Sequence, residues 1–145
     1  MKEIGSQEAF DLLQRDPECI YLDVRSIPEF EQGHPVRALN IPILHFSPGM
    51  GMMPNQEFSE VVEGNLPKEA KILIGCKTGM RSAQACEIMS RLGYSDVTNV
   101  RGGFVGVMDQ FGDVTEPGWS LLRLPVCSSC EENSSYEALE KKSKK

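Results

Sequence analysis

The sequence has little positive charge. Its 145 residues include 15 lysines and arginines against 21 aspartates and glutamates, which gives a net charge of −6 at pH 7. A nucleic-acid-binding protein usually presents a basic face or stripe, so this balance argues against a nucleic-acid partner. The exception is the C-terminus, where four lysines lie close together, Lys141, Lys142, Lys144 and Lys145.

Long hydrophobic runs are also missing. Nothing in the sequence is apolar over the length that crosses a bilayer, and the first ten residues, MKEIGSQEAF, lack the apolar stretch of a secretory signal. We therefore expect a cytoplasmic protein with no membrane partner. The five cysteines, an odd number at irregular spacing, agree with a reducing compartment. The length suits a single domain.

The most informative stretch is Lys71 to Gly93, KILIGCKTGMRSAQACEIMSRLG. Lys71 to Gly75 is a short apolar run typical of a buried strand, and helical spacing of apolar residues starts after Ser82. The pattern predicts a strand, a six-residue loop from Cys76 to Arg81, and a helix that begins at Ser82 and stops at Gly93. Cys76 is therefore expected at the junction of strand and loop.

A loop that turns from a strand into a helix directs backbone N–H groups into one concavity, where the helix dipole also favours negative charge. A thiol held there is stabilised as the nucleophilic thiolate. Gly79 allows the loop to fold tightly, and Arg81 adds a permanent charge at its end. The alternative is that Cys76 is simply a small buried residue. The polar loop that follows Cys76 favours the catalytic interpretation.

The spacing of this loop points to a family. Cysteine-based phosphatases have five residues between their cysteine and arginine, whereas here only Lys77, Thr78, Gly79 and Met80 separate Cys76 from Arg81. The string CKTGMRS, Cys76 to Ser82, resembles the active-site loop of rhodanese-like sulfurtransferases. In that family the cysteine carries a transferable sulfur as a persulfide, which a smaller ring of donors fits better than a phosphate.

A second segment strengthens the resemblance. DVRSIPEFEQGHPVRALNIP, Asp23 to Pro42, matches the family's Asp-Val-Arg, Glu-Phe, Gly-His and Asn-Ile-Pro pattern. Two positions depart from it: Pro35 replaces an isoleucine or valine, and Arg37 replaces a glycine. The Gly-Gly after Arg101 also matches, although Val107 stands where a tryptophan is frequent and the only tryptophan is Trp119.

Strand and helix signals alternate along the chain, which predicts an α/β fold with a mostly parallel sheet and helices on both faces. Helices are expected from Ser6 to about Arg15 and after Asn55, with strands over residues 19–24, 38–42 and 97–100. A loop is expected from Ser47 to Pro54, and a short helix after Phe104. The resemblance covers residues 4 to 124 and implies the rhodanese fold, with five strands.

Three residues, Asp23, Arg25 and Glu29, are candidates for supporting the loop. Asp23 and Glu29 are expected to pair with Arg25 or Arg81, because an arginine at the end of an anion loop needs to be oriented. The alternative is that they are capping and surface charges. His34 matches a family position with a structural role, and Cys19 and Cys86 are interpreted as packing residues.

From Pro125 onward the composition becomes polar and serine-rich. We therefore divide the chain into a domain over residues 1–124 and a flexible tail over 125–145 that carries the lysine-rich end. Cys127 and Cys130 form a CxxC motif. A zinc site, a redox pair that exchanges sulfur with Cys76, and exposed thiols without a fixed role all remain open.

The resemblance implies a sulfurtransferase with Cys76 as nucleophile. Backbone N–H groups of residues 77–82 (Lys77, Thr78, Gly79, Met80, Arg81 and Ser82) would hold the sulfur, and Lys77 and Arg81 would attract a small anionic donor such as thiosulfate. The acceptor would be cyanide or a thiol, with a protein donor or acceptor as a further option; no cofactor or metal is expected. The alternatives are a sulfur-carrier module and a cysteine-based phosphatase or arsenate reductase.

Overall fold

The computed structural model describes residues 1–128 and 133–144. These residues form eleven strands and five helices. In chain order they are β1 (Lys2–Gly5), α1 (Ser6–Arg15), β2 (Ile20–Asp23), α2 (Ile27–Gln32), β3 (His34–Pro35), β4 (Ala38–Asn40), β5 (Leu44–Ser47), β6 (Gly51–Pro54), α3 (Phe58–Asn65), β7 (Ile72–Gly75), α4 (Met80–Arg91), β8 (Val97–Arg101), β9 (Gly106–Met108), β10 (Val114–Pro117), β11 (Val126–Cys127) and α5 (Tyr136–Ser143).

A five-stranded sheet forms the centre, in the order β1-β8-β7-β2-β4. Every neighbouring pair is parallel, which confirms the predicted sheet. The carboxyl ends of parallel strands meet at one edge, where α/β folds bind their ligands. Cys76 follows β7 and Gly102 follows β8, while Asp23 ends β2, so the predicted loops converge on this edge.

The two faces of the sheet are covered by different helices because side chains alternate along each strand. Along β7, Ile72 and Ile74 belong to one apolar cluster and Leu73 to the other. The first cluster takes in residues of three helices, Val61 and Val62 of α3, Ala85 and Met89 of α4, and Leu139 of α5. The second takes in Ala9 and Leu13 of α1 together with Trp119.

Two segments form β-hairpins, although the sequence predicted a loop for the first and a short helix for the second. Residues 47–54 were expected to form a loop, but β5 and β6 pair antiparallel with only residues 48–50 between them. The glycine and proline signals mark the turn alone, and the strands extend further than those signals suggest. The prediction of a short helix after Phe104 is also wrong, because β9 and β10 form an antiparallel ribbon there.

Trp119 fills the core of the second face. Its side chain is fully buried, its ring contacts Phe10 and Tyr21 edge-on, and its indole N–H donates to the Pro125 carbonyl at 2.8 Å. Val107, at the position where the resembled family often has tryptophan, is a partly exposed residue of β9. The aromatic contribution to this core therefore comes from a later part of the chain.

Arg37 adopts the backbone conformation that suits glycine. Its φ is 75°, in the left-handed region, at the position where the family usually has glycine. Its guanidinium donates to the carbonyls of Leu13, Pro17 and Cys19. The backbone geometry is thus retained, and the arginine side chain links the end of α1 to the start of β2.

The described parts of the segment after residue 125 are packed on the domain, unlike the expected flexible tail. β11 pairs antiparallel with β3, and Tyr136 and Leu139 of α5 are buried. Helix α5 lies close enough to α3 that a Cβ at Gly64 would come within 2.6 Å of the Ser143 side chain. Only two apolar residues anchor α5, too few to stand out in a charged sequence.

The second CxxC cysteine, Cys130, lies outside the described residues. Cys127 is buried and takes part in a disulfide. A sulfur in a disulfide is not available as a thiolate ligand, so this state of Cys127 is incompatible with zinc binding. The burial of Cys127 also contradicts its interpretation as an exposed thiol, which leaves the redox pair.

The packing of α5 gives a stability prediction. Leu139→Ala should lower the free energy of unfolding by about 2–3 kcal/mol, because it removes a buried side chain from the first core cluster. Leu121→Ala is the matched control, since Leu121 is 54% exposed. Urea unfolding followed by circular dichroism measures both. Equal stability of Leu139→Ala and the wild type would show that α5 does not contribute to the core.

Candidate active site

Cys76 directly follows β7 and precedes a tight turn into α4. The helix begins at Met80, two residues earlier than predicted, so Arg81 and Ser82 lie in its first turn. Gly79 is the residue before the helix, with φ 118° in the left-handed region that favours glycine. In this conformation the Gly79 amide donates to the Cys76 sulfur at 3.1 Å. The loop therefore directs one backbone donor, the Gly79 amide, towards the sulfur, whereas several from residues 77–82 were predicted.

Cys76 is only 2% exposed, so its sulfur lies below the loop surface. The Ser82 hydroxyl lies 3.3 Å from the sulfur and 2.5 Å from Oδ1 of Asn99. Asn99 in turn donates to Glu3 and to the Gly79 carbonyl. Sequence reasoning missed Asn99 and Glu3; the one signal was a polar residue inside the buried strand VTNV.

The Gly102-Gly103 turn fixes the loop from the neighbouring strand. The Phe104 amide donates to the Cys76 carbonyl at 2.7 Å, and the Val105 amide donates to the Lys77 carbonyl at 2.9 Å. Gly103 has φ 55°, and a Cβ there would lie 2.2 Å from the Cys76 carbonyl oxygen. Only glycine fits, so the turn after β8 holds the loop backbone in place.

Arg81 is held by Glu29 of α2. Its guanidinium donates to both carboxylate oxygens, at 2.7 and 3.0 Å. Partial burial acts to raise the pKa of Glu29, but the hydrogen bonds from Arg81 and Ser26 outweigh it and lower the pKa to about 2. The predicted pairing of Glu29 thus forms with Arg81, across two elements far apart in sequence.

Asp23 and Arg25 form the second predicted pair. The Arg25 guanidinium donates to the Asp23 carboxylate at 2.8 Å and to the Gly33 carbonyl at 2.7 Å, and both side chains are buried. Arg25 also lies over the Phe104 ring, 4.3 Å from its centroid. This pair joins the end of β2 to the turn that holds the loop.

The remaining loop residues lie at the surface. Lys77 is exposed, Thr78 is half-buried, and Met80 is 78% exposed. Cavities of about 360 and 330 Å³ flank the loop, the first lined by Thr78 and Gly79 and the second by Lys77. A larger cavity of about 490 Å³ between α3 and α4 has no lining residue from the loop. The two cavities beside the loop are thus lined by its backbone neighbours, while Cys76 itself lines neither of them.

Two predictions about other residues can be compared with the structure. His34 is buried, stacked on Phe30, and hydrogen-bonded through Nδ1 to the Phe30 carbonyl at 2.8 Å, as expected of a structural histidine. Cys19 and Cys86 are buried, and burial raises the pKa of Cys86 to about 12.

Within residues 1–128 and 133–144, none of the helices has the length and apolar character of a membrane span.

Several known proteins are similar to this chain in sequence. The chain is 39% identical over 106 residues to rhodanese-like domain-containing protein 15 of Arabidopsis thaliana, covering 73% of this chain and 51% of that protein. It is 41% identical over 91 residues to thiosulfate sulfurtransferase 18 of the same plant, covering 61% of this chain and 66% of that one. The chain spans about half the length of the first curated relatives it matches.

Solved structures show the same fold. The crystal structure of Rv0390 from M. tuberculosis superposes with a TM-score of 0.74 at 24% identity, covering 89% of this chain and 98% of that one. A rhodanese-related protein from Thermoplasma volcanium gives a TM-score of 0.60 at 25% identity, covering 89% and 100%. The model of the rhodanese-like domain matches residues 6–110. This chain therefore belongs to the rhodanese-like domain family.

Proposed function

We propose that this chain is a sulfurtransferase that carries a sulfane sulfur as a persulfide on Cys76. The observation that supports this most is the Gly79 amide on the Cys76 sulfur at 3.1 Å, at the carboxyl edge of a parallel sheet. An amide aimed at a sulfur favours its anionic form and would equally stabilise a persulfide anion. The relatives named sulfurtransferases agree with this chemistry.

The proposed reaction has two steps, transfer of a sulfur atom to Cys76 and its transfer to an acceptor. The Cys76 thiol first loses its proton to solvent, and the thiolate attacks the outer sulfur of thiosulfate. The bond between the two sulfurs of thiosulfate breaks, sulfite leaves with the electron pair, and a persulfide remains on Cys76. In the second step cyanide or a thiolate attacks the terminal sulfur, forming thiocyanate or a new persulfide and restoring the Cys76 thiolate. Covalent catalysis of this kind gives ping-pong kinetics.

Charges around the loop suit an anionic donor. Lys77 is exposed beside the cavity that Arg25 and Glu29 also line. Arg81 lies at the start of α4, where the helix dipole adds to its positive charge. Lys77 and the helix dipole would raise the local concentration of a small anion near the sulfur, since Glu29 offsets the charge of Arg81.

The loop length separates this proposal from a phosphatase. Four residues lie between Cys76 and Arg81, one fewer than in cysteine-based phosphatases. Helix α4 also begins at Met80, which shortens the loop further. Turnover of an aryl phosphate without any transfer from thiosulfate would support a phosphatase. Slow turnover of thiosulfate together with rapid persulfide formation from a protein desulfurase would support a carrier.

The persulfide can be detected directly. After incubation with thiosulfate and removal of the excess, the intact mass of the wild type should increase by one sulfur atom, and that of Cys76→Ser should not change. Cys86→Ala is the matched control, because it removes another buried thiol, which lies in helix α4 outside the loop, and it should gain the sulfur as the wild type does. A gain that persists in Cys76→Ser but is lost in Cys127→Ser would assign the chemistry to the C-terminal segment.

The ion pair between Glu29 and Arg81 predicts a pH-dependent stability. The folded-state pKa of Glu29 is about 2, below its ordinary value of 4.5, so its contribution is full above pH 4.5 and is lost as the pH falls towards 2. Glu29→Gln should therefore lower the free energy of unfolding by roughly 1–3 kcal/mol near neutral pH, with a smaller difference from wild type in acid.

Urea unfolding at several pH values measures this difference. Glu31→Gln is the control, because it makes the same charge change at an exposed position of the same helix α2. Glu29→Gln should also slow persulfide formation, since Arg81 loses its bidentate partner. A difference between Glu29→Gln and wild type that stays constant from neutral pH into acid would contradict the assigned role of this ion pair.

A further inference from the structure

The side chains behind Cys76 form a short chain of hydrogen bonds from the sulfur to the first strand. The Ser82 hydroxyl touches the Cys76 sulfur, Asn99 touches Ser82, and Glu3 of β1 touches Asn99. Cys76, Ser82 and Asn99 are all buried. The direction of each hydrogen bond in this chain can be deduced from its partners.

The orientation of the Asn99 amide is fixed by two acceptors. Its Nδ2 lies 3.0 Å from the Glu3 carboxylate and 3.3 Å from the Gly79 carbonyl. Neither a carboxylate nor a carbonyl can donate, so the NH₂ group must face them. The Oδ1 atom therefore faces the Ser82 hydroxyl, 2.5 Å away.

The Ser82 hydroxyl has one hydrogen and two neighbours that compete for it. Because Oδ1 of Asn99 has no hydrogen to give, Ser82 donates to Asn99. The hydroxyl then presents a lone pair to the Cys76 sulfur at 3.3 Å, which suits a protonated thiol that donates to it. A thiolate would instead accept the Ser82 hydrogen as a second hydrogen bond beside that of the Gly79 amide, and that hydrogen would have to leave Asn99.

We propose that Asn99 is a positioning residue that keeps the Ser82 hydrogen away from the Cys76 sulfur and so favours the protonated thiol in the resting protein. The Gly79 amide acts in the opposite direction, since it donates to the same sulfur. Loss of the thiol proton to solvent would turn the Ser82 hydrogen from Asn99 to the sulfur. The inference rests on the proposed function only in taking Cys76 as the reacting thiol.

The test measures the rate at which iodoacetamide alkylates Cys76 at neutral pH, with peptide mass spectrometry to resolve the modified cysteine. Alkylation proceeds through the thiolate and needs no sulfur donor, so it is independent of whether thiosulfate is the substrate. Asn99→Ala should raise the rate by about threefold to tenfold, the change expected when one neutral hydrogen bond no longer competes. In the Ser82→Ala variant, adding Asn99→Ala should leave the alkylation rate of Cys76 unchanged.

Thr98→Ala is the matched control, because Thr98 is buried on the same strand but points to the opposite face of the sheet. It should leave the rate unchanged. Thermal unfolding checks that each variant is folded, and Asn99→Leu, which keeps the side-chain shape without hydrogen-bonding atoms, replaces Asn99→Ala if the latter does not fold. An unchanged or lower rate overturns the proposal, as does a rise that persists without the Ser82 hydroxyl.

Discussion

The hydrogen bond from the Gly79 amide to the Cys76 sulfur is the contact on which the proposed chemistry depends. It exists because Gly79 holds a left-handed conformation between the end of β7 and the first turn of α4. A side chain at this position would be strained by that φ, even though its Cβ would make only ordinary contacts, the nearest at 3.6 Å from the Gly102 amide nitrogen. The constraint is therefore conformational, and it determines where the amide points.

The surrounding structure keeps this small loop from relaxing. The amides of Phe104 and Val105, just after the Gly102-Gly103 turn, donate to the carbonyls of Cys76 and Lys77, and Glu29 holds Arg81 from α2. Each support comes from a different strand-to-helix or strand-to-hairpin connection at the same edge of the sheet. A parallel sheet brings these connections together without needing them to be close in sequence.

Much of this arrangement could be predicted from the sequence, because the strongest signals are local. The strand before Cys76, the glycine of the loop and the pairing of Glu29 with an arginine all follow from spacing and residue type. The hairpins were missed because glycine and proline mark only the turns between paired strands. Asn99 was missed because its partners, Ser82 and Glu3, are neighbours only in the folded sheet.

The packing of the C-terminal segment on the domain was not predicted, for a different reason. Its composition is typical of a flexible tail, yet Tyr136 and Leu139 are buried and the Ser134 carbonyl accepts from the Asn40 amide at the end of edge strand β4. Two anchoring side chains and a few backbone hydrogen bonds leave almost no trace in composition. Pro35, one of the two departures from the family pattern, lies in the strand that pairs with this segment.

The most direct test of the central claim is the amide proton chemical shift of Gly79, followed by NMR during loading with thiosulfate. If the Gly79 amide donates to the sulfur of Cys76, its signal should move on persulfide formation and should differ between the wild type and Cys76→Ala. The amide of Gly93, beyond the far end of α4, serves as the internal reference. A Gly79 signal that is the same in wild type, loaded protein and Cys76→Ala would contradict the account.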